Sequence, residues 1–196
     1  MRKLAPVGIL LGALYYGVVG LGCAKPAAET PAPTPEEVAA RGHYLVTLGG
    51  CNDCHSPKVM GTMGPEPDGS RLLSGHPADM AVAPLDSTLA NSGWILMGDQ
   101  LTVFVGHPWG MSYASNLTPD EETGLGSWTE QMFIDTIRNG KHMGTGRPLL
   151  PPMPWAAMAQ AEDADLKAIF AYLQSLPPVK NRVPQPVPME TLLGGE

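Results

Sequence analysis

Cysteine, aromatic rings and charge are all scarce in this 196-residue chain. Three cysteines allow at most one internal disulfide, which excludes a disulfide-held scaffold. Aromatic residues make up 6% of the sequence and charged residues 16%, against about 25% charged in an ordinary soluble domain. No run of lysine or arginine occurs anywhere. Phosphate backbones are bound by clustered cations, so nucleic acid is excluded as a partner class. Lys and Arg total 12 against 19 Asp and Glu, for a net charge of −7. A partner steered to this chain by long-range charge would be cationic. What is abundant instead is glycine (23), proline (21) and methionine (11). Hydrophobic residues reach 43%, enough to build a core. The combination excludes a disordered protein, a coiled coil and a dense helical bundle. It points to a loop-rich domain whose loops are held by something besides regular secondary structure.

The two ends differ from the middle. Arg2 and Lys3 are followed by 19 uncharged residues, Leu4 to Gly22, and then by Cys23. That is the layout of an export signal over residues 1–22. Cys23 is the one cysteine outside the motif described below, and it sits where the apolar run stops. The segment resembles a bacterial lipoprotein signal, in which such a cysteine becomes the lipidated first residue. An uncleaved membrane anchor and simple cleavage remain as alternatives. All three place the domain outside the cytoplasm. Residues 23–34 are Pro- and Ala-rich and read as an extended tether. Pro177, Pro178, Pro184, Pro186 and Pro188 prevent a long helix at the other end, so 179–196 reads as a polyproline-like tail, lying along the domain or hanging free.

The decisive pattern is Cys51-Asn52-Asp53-Cys54-His55, a C-x-x-C-H sequence. Two thiols three residues apart on one helical turn point the same way and can reach the two vinyl groups on one edge of a porphyrin. The next histidine then offers its imidazole to the iron. A chain of this composition shows the pattern by chance roughly once in a thousand times. A thioredoxin-like redox pair would need a strand before it and a helix after it, whereas Pro57 follows almost at once. A structural zinc site would need four ligands, and only two cysteines are at hand. The reading is covalent haem c, one per chain, on Cys51, Cys54 and His55.

Three helices are expected around it. Thr34, Pro35 and Glu37 form a capping box, and Val38, Leu45 and Val46 make an apolar face with Gly42 as a gap for close approach. Ser127 and Glu130 read as a second capping box, followed by Phe133, Ile134 and Ile137 and stopped at Asn139-Gly140. Leu166, Ile169, Phe170, Leu173 and Leu176 repeat at three and four residues, with Asp163 and Asp165 at the start and Pro177 at the end. Between Pro57 and Ser115 lies a Gly-, Pro- and Met-rich insert. Within it Trp94–Met97 and Leu101–Val105 read as a β-hairpin turning at Gly98-Asp99-Gln100. The insert reads either as a flap over the haem or as a surface for a partner.

The sixth position on the iron sets the function: a sulfur ligand makes an electron carrier, an open face a gas binder or catalyst. Met153, in Leu149-Leu150-Pro151-Pro152-Met153-Pro154-Trp155, is the leading candidate because prolines on both sides fix its backbone. Met143, the remaining histidines (His43, His76, His107 and His142) and an open site are the alternatives.

With these residues in view, the chain resembles a bacterial monohaem class I cytochrome c over about 35–55 and 113–183. Asn116-Leu117-Thr118-Pro119-Asp120, Thr123-Gly124-Leu125-Gly126 and Trp128-Thr129 are similar to the middle of c-type domains in the cytochrome subunits of membrane-bound dehydrogenases. Those subunits carry three haem motifs, and this chain has one. The resemblance implies a mainly α fold, three or four helices around the haem, over 35–178, with the insert at about 57–115. It implies haem binding by Cys51, Cys54, His55 and Met153, and positions for Asn116 and Trp128 near the haem propionates. The function expected is single-electron transfer outside the cytoplasm, with a dehydrogenase or respiratory-chain component as partner and a lipid or N-terminal anchor on the membrane. A peroxidase-like haem enzyme and a gas- or redox-sensing module are the other classes, and both need an open sixth site.

Overall fold

A computed structural model describes residues 31–194. The expected export signal and Cys23 lie outside the described residues. Residues 33–194 belong to one unit.

Helix α1, Pro35–Leu48, opens on the expected capping box: Thr34 Oγ1 accepts from Glu37 N, and Thr34 N donates to the Glu37 carboxylate at 2.8 Å. The Gly49-Gly50 turn leads directly into α2, Cys51–His55. Strands β1 (Lys58–Met60) and β2 (Pro65–Pro67) form a hairpin, and a short helix α3 (Ser87–Ala90) follows. Strands β3 (Leu96–Met97), β4 (Val103–Gly106) and β5 (Gly110–Tyr113) form an antiparallel sheet in that order. Helices α4 (Glu130–Asn139), α5 (Trp155–Met158), α6 (Asp163–Gln174) and α7 (Met189–Leu192) complete the chain, with a 3₁₀ turn at His142–Gly144.

Two hydrophobic cores organise these elements. The first joins Val46 of α1, Leu73, Leu125, Phe133, Ile134 and Ile137 of α4, and Leu166, Ile169, Phe170 and Leu173 of α6. Here α1 crosses α6 at Gly42, where an added Cβ would fall 1.9 Å from the Ala168 carbonyl oxygen. Only hydrogen fits at that point, so Gly42 sets the depth of the crossing. Arg41 adds an exposed ion pair to Asp165 at 3.0 Å, of modest value at the surface.

The second core belongs to the insert: Ala90, Val103, Val105, Met111 and Met189. The hairpin expected at 94–105 forms in shortened form, with Leu96 opposite Val105 and Met97 opposite Phe104. A third strand, β5, and the separate β1–β2 hairpin were not foreseen, so the insert holds two sheets. The tail takes the first of its two expected courses and lies along the domain. Val187 exchanges backbone hydrogen bonds with Met111 at 2.8 and 2.9 Å, and Met189 enters the second core. Asn181, 5% exposed, accepts from Ala78 N at 2.9 Å and donates to the Ser74 and His76 carbonyls at 2.6 and 2.9 Å. The tail is thus a strap tied to the insert.

Helix α4 begins two residues later than the Ser127 capping box implied. Thr129 has extended backbone angles and its side chain accepts from Met132 N, so the threonine takes the cap that serine was expected to hold. The helix ends as expected at Gly140, at φ +61. A side chain there would also strike the Trp155 ring, 2.5 Å from where its Cβ would sit.

Candidate haem site

Cys51, Cys54 and His55 share the single turn of α2, and all three are partly buried. The segment around 55–75 secures the end of this turn. Ser56, fully buried, donates through Oγ to Asn52 Oδ1 at 2.8 Å and accepts from Leu73 N at 2.8 Å. Gly75 N donates to the His55 carbonyl at 2.7 Å. The Lys58 ammonium bonds the carbonyls of Asn52, at 3.2 Å, and Ser56, where a cation complements the negative end of a helical turn. Neither Ser56 nor Lys58 stood out in the sequence, although both follow the motif within four residues.

His55 Nδ1 lies 2.8 Å from the Ser115 carbonyl oxygen. A carbonyl only accepts, so Nδ1 carries the proton and Nε2 keeps its lone pair. Burial lowers the His55 pKa, partly offset by this bond. A neutral imidazole, oriented by a carbonyl on its far nitrogen, is the form in which histidine ligates a metal. Burial raises the thiols of both Cys51 and Cys54. Redox-active and metal-binding cysteines work as thiolates and have lowered values, so this environment is unlike theirs. It is compatible with sulfur held as a neutral thioether. Among the described residues no group of three His, Cys, Asp or Glu side chains converges on a metal position. Two thiols and an oriented imidazole on one helical turn are a donor set that fits a covalently attached haem.

Met153 and Trp128 pack, with Cys51, against the first core. The structure thus brings the methionine loop, Trp128 and the first cysteine to one core. Trp128 stands edge-on to the His142 ring, 5.1 Å between centroids. The loop carrying Met153 is anchored by Leu149 N to the Gly140 carbonyl at 2.8 Å. Met143, by contrast, is 43% exposed on the 3₁₀ turn, with its own φ at +53. His43 lies against Tyr172 on the outside of α1, His107 is exposed, and His76 is buried in the insert beside Tyr113.

Asn116 is bonded on every side within the chain. It is 4% exposed, and both ends of its amide are committed within the chain. Its Oδ1 accepts from Thr118 N and Oγ1 at 3.0 and 2.7 Å, and its Nδ2 donates to the Val179 carbonyl at 2.8 Å and to Thr123 Oγ1 at 3.2 Å. This geometry makes Asn116 a brace between the 116–123 loop and the tail.

No family model matches the chain. It is 27% identical over 177 residues to the fructose dehydrogenase cytochrome subunit of Gluconobacter japonicus, covering 87% of this chain and 29% of that protein. It is 31% identical over 156 residues to the cytochrome c subunit of the quinone-dependent alcohol dehydrogenase of Gluconacetobacter polyoxogenes, covering 76% of this chain and 27% of that protein. A diheme cytochrome c-type protein of Cereibacter sphaeroides is 27% identical over 181 residues, or 91% of this chain and 50% of that protein. The chain spans half or less of each of these relatives. The similarities support a c-type cytochrome. Among the described residues no helix is long and apolar enough to cross a membrane.

Proposed function

We propose that this chain is an electron carrier: a c-type cytochrome of the class I fold with one haem, held between His55 and Met153. The observation that carries the reading is the His55 ring, fixed by the Ser115 carbonyl with Nε2 free, on the same helical turn as both cysteines. When bound, haem c supplies a one-electron iron couple. Cys51 and Cys54 would hold it through thioethers, and His55 and Met153 would be its axial ligands. The packing of Met153 against the core that Cys51 also touches supports the methionine, as does the exposure of its rival Met143. Apolar neighbours in that core keep water away, which favours exchange of charge over exchange of ligands. Trp128, packed on the same core, is proposed to lie near the haem edge.

The similarity to cytochrome subunits of dehydrogenases supports a dehydrogenase or respiratory component as redox partner. The export signal read in residues 1–22 supports an extracytoplasmic site of action, with Cys23 proposed as a lipid anchor. Absorption spectra of wild type and Met153→Ala, oxidised and reduced, test the ligand set. The weak red sulfur-to-iron band is expected in the ferric wild type and lost in the variant. A wild type that lacks the band and binds carbon monoxide when reduced would overturn it in favour of an open-site haem protein.

A further inference from the structure

The third strand of the insert touches both segments that carry the proposed axial ligands. Ser112, on β5 and 7% exposed, donates through Oγ to the Pro151 carbonyl at 2.8 Å, across 39 residues of sequence. Pro151 stands two residues before Met153. Three residues beyond Ser112, the carbonyl of Ser115 accepts a hydrogen bond from His55 Nδ1. Among the described residues, Ser112 is the only side chain elsewhere in the fold that hydrogen-bonds the 150–154 segment. The strand itself is held on both edges. Ser112 pairs with Phe104 of β4, and Met111 pairs with Val187 of the tail. Ala114 N donates to the Thr102 carbonyl and Ala114 O accepts from His76 N, both at 2.9 Å, so the path from Ser112 to Ser115 is fixed residue by residue.

We propose that β5 is a clamp that sets the methionine loop relative to His55, with Ser112 as the positioning residue for Met153. This rests on Met153 being the sixth ligand. It gives the insert a task other than a flap or a docking surface: the insert and the tail together stiffen one short strand, and that strand spans the two ligand-bearing segments. A hydroxyl bond to a loop carbonyl two residues from the sulfur limits how far the loop can swing away. Its loss leaves the haem attached and His55 in place, and it eases displacement of the sulfur by an external ligand.

The test compares full-length holoprotein with Ser112→Ala and Ser112→Thr. Covalent haem content is read from the alkaline pyridine spectrum, and the methionine bond from the ferric red band and from cyanide titration. Ser112→Ala is expected to keep its haem and to bind cyanide about fivefold more tightly, the scale of one lost hydrogen bond. Ser112→Thr, which keeps the hydroxyl, is expected to bind cyanide as the wild type does. Should Ser112→Ala fail to mature, Thr is compared with the isosteric Ser112→Val, and the same difference is expected between them. A wild type that shows the red band, with cyanide affinity unchanged in Ala or equal in Val and Thr, overturns the clamp alone. A wild type without the band overturns the methionine assignment and the clamp with it.

Discussion

The crossing of α1 over α6 and the sheet of the insert are held by contrasting means. At the crossing, two long helices with their own caps and apolar faces meet at Gly42, and the first core lies between them and α4. In the insert, strands of two to four residues have little stability of their own. They are held by a returning tail through Val187 and Met189, while Asn181 ties the same tail to the loop at Ser74, His76 and Ala78. The helical part rests on local order and then packs. The insert rests on contacts distant in sequence, and its order is conditional on the tail.

The strongest way to break this comparison is at the crossing. Gly42→Val places carbon against the Ala168 carbonyl and the Tyr172 side chain, with backbone on both sides unable to yield. It is expected to cost about 3 kcal/mol or more, seen as a lower midpoint in denaturant for both regions together. In the second core, Met189→Ala removes a tail side chain 4% exposed and is expected to cost about 2–3 kcal/mol. That loss should appear locally, as faster hydrogen exchange at Val103–Gly106 with α1 and α6 still protected. Equal loss of protection in both regions would show that they unfold as one. Asn181→Ala leaves the Ser74 and His76 carbonyls and the Ala78 amide unpartnered and is expected to follow the same pattern at about 1–3 kcal/mol.

A smaller, pH-dependent effect is expected at His76. Its ring is buried against Tyr113 and bonded through Nδ1 to Thr102 Oγ1 at 2.9 Å, and burial lowers its pKa below the ordinary 6.5. The unfolded insert therefore binds more protons than the folded one below about pH 6.5, and its stability falls as pH drops through that range. Protection factors of β4 amides should decline from pH 7 to 5 in the wild type and stay level in His76→Gln. A level wild-type profile would mean that the ring is reached by solvent without opening the sheet.

The same contrast explains what could be read from the chain directly. Thr34 with Glu37, the Leu166–Leu173 stripe and Gly140 are local signals, and the helices form where those signals stand. Cys51, Cys54 and His55 stand out in the sequence because C-x-x-C-H is itself a local pattern. Ser112, Ser115, Ser56 and Asn181 do not, because their roles depend on partners brought near by the fold: a proline carbonyl 39 residues away for Ser112, and two carbonyls more than 100 residues away for Asn181. The partners of Asn116 are likewise distant in sequence, since the returning tail supplies the Val179 carbonyl.

Covalent attachment at Cys51 and Cys54 is decided by the mass of the peptide spanning Cys51–His55, from protein matured with haem-attachment machinery and washed in acid acetone. One haem mass retained on that peptide, with neither thiol open to alkylation, is the predicted result. Pigment lost to the wash, with both thiols alkylated in full, would contradict the account.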